Sequence, residues 1–373
     1  MQQFIIGLPG VPSSFGGVQG PWSASMPKVY IILVNWNGWE DTIECLESVF
    51  RLEYGNFCVI VCDNGSTDDS LSRIGEWADG KIQPVCGNPD MKHLSYPSYP
   101  KPIPFLTMGP AIPKDLAGRN ERLFLIQIGE NLGFAGGNNV GLRIALDTGD
   151  LDYAWLLNND TAVDPKALLH LVGRMEENPD SGICGSALLY YDDGKTVQAL
   201  GGARYDWWTA RVHHVGCGLK MDKAPPRQEV EQQLDYIVGA SMLIRRAFLE
   251  DVGLMSERYF LFFEEIDWIT RAKGRYQLVY SPESIVYHKQ GKSTGEGSAT
   301  SGQDDVAGLY GPRNRILYTR THRPIALALV VPSVMASAAY RLLTGQFASF
   351  KRLISGAVAG AIAPIDHTND RAN

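Results

Sequence analysis

The sequence predicts an α/β fold: a mostly parallel central sheet with helices on both faces, followed by amphipathic helices towards the C-terminus. Three observations carry that expectation. Apolar runs at 29–34, 57–62, 123–126 and 153–157 are hydrophobic throughout instead of alternating, as strands buried on both faces are. Helical patterns separate these runs. Several runs also end in amides, acids and glycine, at the sheet edge where open α/β folds bind ligands.

The run 29–34 ends in Asn35-Trp36-Asn37-Gly38, and an amphipathic helix succeeds it with Ile43, Leu46, Val49 and Phe50 on one face. The run 57–62 closes in Asp63-Asn64-Gly65-Ser66-Thr67, where Ser66 or Thr67 is placed to cap a helix beginning near Asp68. Residues 88–120 hold seven prolines and little periodicity, so they form a long excursion of the kind that makes lids, binding elements or disorder. A third strand at 123–126, a helix at 135–146 and a fourth strand at 153–157 come next. Asp164-Pro165 opens another helix, with proline in its first turn. Beyond Ile183 the pattern is mixed. The glycine- and aromatic-rich stretch 201–218 reads as a hairpin, and 290–305 as a mobile Gly/Ser loop.

The composition is that of a globular protein: 373 residues, 45% hydrophobic and 20% charged. A formal net charge of -7 excludes a general nucleic-acid binder. The charge is unevenly spread. Residues 306–365 contain no Asp or Glu but carry Arg313, Arg315, Arg320, Arg323, Arg341, Lys351 and Arg352. A basic, apolar tail on an acidic body is a membrane-surface signature. Residues 324–340 are barely long enough to span, and Pro332 is expected to break them. Helices lying in the interface are the reading adopted, with packing inside the protein or a dimer, and a true span, as alternatives. Six cysteines without a CxxC pair point to a reducing compartment. Residues 1–27, uncharged and rich in Gly, Pro and Ser, read as a disordered extension, with Met26 as the expected start.

Certain residues carry chemistry. Leu157-Asn158-Asn159-Asp160 ends the fourth strand in hard oxygen donors, which either cap the next helix or hold Mg²⁺ or Mn²⁺. Asp63 serves an Asx-turn or a nucleotide's base and ribose, and Trp36 is either core or an aromatic face for the base. The glycine-rich 131–139 stretch leads into a helix, so its backbone N–H groups could meet a phosphate or ribose. Glu264-Glu265-Ile266-Asp267 comes directly after Phe262-Phe263, and either starts a solvated helix or supplies a partly buried general base. His288 is either structural or placed to add a nitrogen beside Asp160. Trp207 and Trp208 belong to the hairpin core or to a sugar platform.

These motifs, in this order, resemble an inverting, family-two glycosyltransferase of the GT-A fold. They are Val34-Asn35-Trp36-Asn37-Gly38, Asp63-Asn64-Gly65-Ser66, Asn131-Leu132-Gly133-Phe134-Ala135-Gly136-Gly137-Asn138, Leu157-Asn158-Asn159-Asp160, Val238-Gly239-Ala240-Ser241-Met242, Phe263-Glu264-Glu265-Ile266-Asp267 and Tyr287-His288. The flavour is that of the rhamnosyltransferase-like branch that builds bacterial cell-surface polysaccharides. The resemblance implies a GT-A domain over 28–320, interrupted by 88–120, with 321–373 as the membrane-associating tail. It implies a nucleotide-diphosphate sugar donor, dTDP-rhamnose by analogy, and a divalent cation, Mg²⁺ or Mn²⁺. Asn35, Trp36, Asp63, Gly136, Asn138, Asn159 and Asp160 would hold the donor. Asp160, His288 and Asn158 would hold the metal, Asn158 standing where the family has a first Asp. Glu265 matches the catalytic base, with Glu264 the weaker candidate. Trp207, Trp208, Ser241 and Asp267 would face a glycan or lipid-linked acceptor. The resemblance places the protein in the cytoplasm, at the inner face of the plasma membrane. It leaves a homodimer open. The competing expectation is a catalytically inactive glycan- or nucleotide-binding protein on the same fold.

Overall fold

The computed structural model describes residues 26–109, 121–289 and 304–365. The first half alternates strand and helix: β1 (Val29–Asn35), α1 (Trp39–Val49), β2 (Phe57–Asp63) and α2 (Ser70–Ala78). Next are a short helix α3 (Lys92–Ser95) and strand β3 (Phe105–Met108), then β4 (Leu123–Gln127), α4 (Gly133–Asp147) and β5 (Tyr153–Leu157). The second half holds β6 (Thr161–Val163), α5 (Ala167–Glu176), β7 (Ser181–Tyr190), β8 (Val197–Leu200), β9 (Gly202–Asp206) and β10 (Arg211–His214). After α6 (Arg227–Glu231) come β11 (Tyr236–Ile237), β12 (Ser241–Arg245), α7 (Arg246–Val252), α8 (Glu264–Ala272) and β13 (Gln277–His288). Helices α9 (Asp304–His322), α10 (Leu327–Leu343) and α11 (Phe347–Ile362) end the described chain.

One sheet runs β3-β4-β2-β1-β5-β12-β7-β13-β6, with β8 beside β7. From β3 to β5 every pairing is parallel; β1, β2, β4 and β5 are buried on both faces as parallel strands are, whereas edge strand β3 is only partly covered. β12 lies antiparallel between β5 and β7. One face packs on α1, α2 and α5, and the other on α4, α7 and α8. Helix α4 sets its glycines directly on the side chains of β1: a Cβ on Gly137 would come 2.9 Å from the Val34 side chain, and one on Gly141 2.6 Å from that of Ile32. A third core joins the small sheet β10-β9-β11 to α8, α9, α10 and α11.

Several expectations change. Ser66 does not cap α2, which begins at Ser70; its hydroxyl donates to Asp63 (2.5 Å) and accepts from the Asn37 N–H (2.9 Å). The proline-rich excursion contributes edge strand β3, and Glu47, fully buried on α1, grips it by accepting from Ser98, the Tyr99 N–H and Lys101; residues 110–120 lie outside the described residues. Pro332 sits inside α10 without ending it. Helix α9 crosses the expected boundary at residue 320, so the tail is continuous with the domain before it. Of the expected N-terminal extension only Met26 and Pro27 are described. They are docked, their carbonyls accepting from Asn56 (2.7 Å) and Tyr54 (2.6 Å). The rest of it, nearly all of the Gly/Ser loop and residues 366–373 lie outside the described residues.

Candidate active site

The parallel strands end together. Register places Asn35 beside Asp63, and the Asn35 amide donates to the Asp63 carboxylate at 2.9 Å. Thr42 bridges Asn35 (2.9 Å) to Asn159 (2.9 Å), so three strand ends share one buried polar net. Trp36 stands at this corner, 40% exposed. The loops after β1 and β2 are joined where the Thr67 N–H donates to Asn37 at 2.8 Å.

Asn158, Asn159 and Asp160 occupy the turn between β5 and β6, so they do not cap a helix. β13 pairs His288 with Thr161, which brings its imidazole to Asp160. Its Nε2 lies 3.1 Å from Asp160 Oδ1 and 3.3 Å from the Asn158 amide nitrogen. Its Nδ1 lies 2.8 Å from the side-chain oxygen of Gln198, which accepts only. Nδ1 therefore carries the proton, and Nε2 presents a lone pair to the site whenever the ring is neutral. Burial opposes ionisation of Asp160, but the charge and hydrogen bond of His288, with Lys289, outweigh it and hold the carboxyl below its usual range. A carboxylate, an oriented imidazole nitrogen and a side-chain amide converge there. That set fits a hard or borderline divalent cation bearing further ligands from a diphosphate. Among the described residues no cluster of three His, Cys or acidic side chains surrounds a common point, so two such groups and Asn158 are what the chain offers.

The carboxylates of α8 lie across a single strand connection. Asn158 donates its N–H to the Ala240 carbonyl (3.0 Å), and the neighbouring Gly239 N–H donates to Glu265 Oε1 (3.2 Å). Gly239 has no room for a side chain: a Cβ would fall 2.8 Å from Glu265 Oε1 and 2.8 Å from the Phe134 ring. Burial pushes the partly buried Glu265 carboxyl above its ordinary range, opposed by backbone N–H donors. Glu264 is fully covered and one of its oxygens has no partner; burial, then the charge of Glu265, drive its carboxyl well above the ordinary range. Phe262 and Phe263, with φ of 71° and 76°, bring the chain into α8 through a left-handed turn.

A family model described as Glycosyl transferase family 2 matches residues 30–87 and 110–253, more than half the chain. The chain belongs to that family. The chain is 21% identical over 164 residues to the low-salt glycan biosynthesis hexosyltransferase Agl10 of Haloferax volcanii, covering 41% of this chain and 47% of that one. It is 24% identical over 260 residues to the N-acetylglucosaminyl-diphospho-decaprenol L-rhamnosyltransferase of Mycobacterium tuberculosis, covering 65% and 69%. The chain thus spans about half the length of the first relative. Two solved structures share the GT-A fold at 14% identity and TM-score 0.50. One is the mannosyltransferase PcManGT of Pyrobaculum calidifontis in complex with GDP-Man and Mn²⁺, with 92% of this chain and 91% of that one covered. The other is GalNAc-T7 with UDP, GalNAc and Mn²⁺, with 82% and 52% covered.

Other residues singled out in the sequence serve the architecture of the chain. Gly136 lies within α4, where a Cβ would meet Leu132 at 2.5 Å, and the Asn138 amide donates to the Phe134 carbonyl. The helix start is itself occupied, the Phe134 N–H donating to the Phe260 carbonyl at 2.8 Å. The glycine-rich stretch is thus a packing surface, with its first N–H groups turned to protein. Ser241 lies in the sheet core, accepting from Trp155 and sharing a hydrogen bond with Ser186. Asp267 is held by Arg271 (2.9 Å) and His322 (2.8 Å), which keep its carboxyl low against the cost of burial. Trp207 packs edge-on to Tyr205 in the third core, whereas Trp208 is 47% exposed under the Arg323 guanidinium. Gln198, Thr42 and Asn314 do not stand out in the sequence.

Proposed function

We propose that this protein transfers a sugar with inversion from a nucleotide-diphosphate donor to a hydroxyl of a lipid-linked glycan acceptor at a membrane surface, with rhamnose as the sugar. The observation that carries the chemistry is the pairing of two unlike sites through Gly239 and Ala240. One is the Asp160–His288 pair with its imidazole oriented by Gln198; the other is Glu265 with a raised pKa.

Asp63 holds the nucleoside by hydrogen bonds, and Trp36 stacks on the base; Asn35, completely buried with its amide spent on Asp63, Ser66 and Thr42, positions Asp63 and does not itself meet the donor. Asp160, His288 and Asn158 would hold the divalent cation. When bound, the cation offsets the charge that develops on the leaving diphosphate. Glu265 accepts the proton of the acceptor hydroxyl while that oxygen bonds to the anomeric carbon; the bond from that carbon to the diphosphate oxygen breaks, and the nucleoside diphosphate leaves. The side chains so assigned include one base and no protein nucleophile, so the sugar's configuration inverts. A carboxyl raised above its ordinary range is a stronger base at neutral pH than an exposed one.

The acceptor reading is supported by α10 and α11. Residues Pro324–Leu343 are long and apolar enough to cross a membrane, with mean hydropathy 1.7. In the fold Val330, Val334 and Ala338 pack inward, leaving Leu329, Met335, Leu343 (87% exposed) and Phe347 (61%) on the outer surface near Arg341 and Lys351. A helix packed along one face and apolar on the other is suited to lie in the headgroup region. Rhamnose rests on the mycobacterial relative, whose name gives an L-rhamnosyl transfer to a decaprenyl-linked sugar. A panel of UDP-, GDP- and dTDP-sugars with Mg²⁺ or Mn²⁺, read first by thermal shift and then by donor hydrolysis, tests the function. Stabilisation and turnover by dTDP-rhamnose are expected. Turnover of another donor corrects the sugar, and binding without turnover of any donor favours the inactive binding protein.

A further inference from the structure

We propose that Asn314 is a positioning residue for Glu265: its carboxamide holds the turn ahead of α8 in the left-handed conformation that aims the base. The proposal rests on the reading of Glu265 as the base.

Asn314 lies on α9 and is completely buried. Its Nδ2 donates to the carbonyls of Leu261 (2.8 Å) and Phe262 (3.0 Å), and its Oδ1 accepts from Arg313 (2.5 Å). The same face of α9 stacks Tyr310 on Phe260 at 4.7 Å and sends the Arg313 guanidinium to the Arg258 carbonyl at 2.9 Å. Three consecutive residues of α8's approach, Phe260, Leu261 and Phe262, are therefore gripped from one helix. The turn they lead into is unusual. Phe262 and Phe263 both have positive φ, and neither is glycine, so each β-carbon crowds the backbone. A non-glycine residue stays in that region only where its surroundings over-determine it. Asn314 supplies two of the hydrogen bonds that do so. Glu264 and Glu265 come immediately after, so the path of this turn decides where the Glu265 carboxylate lies relative to Gly239.

The grip extends further. A Cβ on Gly356 would lie 2.2 Å from the Leu309 carbonyl, and one on Gly360 2.2 Å from the Arg313 carbonyl, so α11 lies directly on the α9 backbone. The C-terminal helices thereby back the face of α9 from which Asn314 reaches the turn ahead of the base.

The test uses the full chain, the nucleotide sugar selected by the thermal-shift panel, and isothermal titration with its nucleoside diphosphate and Mn²⁺. Asn314→Ala is expected to lower kcat about tenfold or more, because sub-ångström misplacement of a catalytic group is costly. Donor KM and nucleoside-diphosphate affinity stay at the wild-type values, and the acidic limb of the pH–rate profile moves. Phe262→Gly in the Asn314→Ala background restores much of kcat, because glycine holds positive φ unaided. Isosteric Asn314→Asp, which keeps the volume and removes the donor, carries the same expectation if the alanine variant does not accumulate. Wild-type kcat and an unmoved pH limb in these variants overturn the proposal, as does an equal loss of nucleotide affinity or a glycine substitution that restores nothing. Glu265→Gln separates the two levels. If it is inactive while Asn314→Ala is normal, only the positioning role falls; if it keeps wild-type turnover, the base assignment itself falls.

Discussion

Gly239→Ala isolates the contact between the strand connection and the base. The new methyl carbon would lie 2.8 Å from Glu265 Oε1 and 2.8 Å from the Phe134 ring, whereas ordinary contact begins near 3.4 Å. Something must yield by about 0.6 Å, and the end of a glutamate is softer than a ring pinned at the start of α4. Glu265 therefore moves, and its hydrogen bond from the residue 239 N–H (3.2 Å) is the first to be lost. A catalytic group displaced by about 1 Å costs about a hundredfold, so a displacement of this size costs about ten- to fiftyfold in kcat. Overpacking adds about 1–3 kcal/mol of destabilisation. Steady-state transfer kinetics at saturating donor, alongside calorimetric binding of the nucleoside diphosphate, separates the effects. The expectation is a loss in kcat with nucleotide affinity intact. A variant that is destabilised yet turns over at the wild-type rate would refute the placement of Glu265 as base.

Other expectations concern the cation site, the buried acid and the tail. Gln198→Leu leaves the His288 Nδ1 proton without its acceptor, and should weaken half-saturating Mn²⁺ about 10- to 100-fold, with His288→Ala weakening it further. Glu264→Gln should keep transfer activity and change the pH dependence of stability. The folded-state pKa of Glu264 is raised, so the contribution of this one residue to stability is fullest below the ordinary value of 4.5 and declines as pH rises from there through the raised value. The glutamine variant lacks that decline, so its melting temperature should match wild type near pH 4 and exceed it at pH 7; a constant gap would contradict the burial account. Leu343→Glu with Phe347→Glu, both exposed, should abolish co-sedimentation with anionic liposomes while the melting temperature holds.

Much of the GT-A domain was legible because burial on both faces leaves a plain mark on a strand. β1, β2, β4 and β5 coincide closely with the apolar runs, and polar residues gather at their ends. The features that escaped were those held by distant partners. Asp41, Glu44 and Glu47 look like the wet side of α1, yet all three are buried. Lys289 lies 2.6 Å from both Asp41 and Glu44, and Lys101 lies 3.0 Å from Glu47, pairings that no periodicity in α1 discloses. The glycines of 131–139 resemble a phosphate loop because close approach to a ligand and close approach to a strand demand the same residue. Ser241 belongs to a motif shared with the family, but its hydroxyl is spent on Trp155 and Ser186 inside the sheet. Within the candidate site, strand ends could be read singly. Their convergence, and the orientation of His288 by Gln198, needed the register of β13 against β6 and β7.

The central claim is that Glu265 removes the acceptor proton beside a cation site built on Asp160 and His288. Glu265→Gln tests it most directly, through transfer rate, nucleotide binding and the anomeric configuration of the wild-type product. The account predicts a loss of about 10²- to 10⁴-fold in kcat, unchanged nucleoside-diphosphate affinity, and inverted product from the wild-type enzyme. Transfer by Glu265→Gln within about threefold of wild type, or a product with retained configuration, would contradict it.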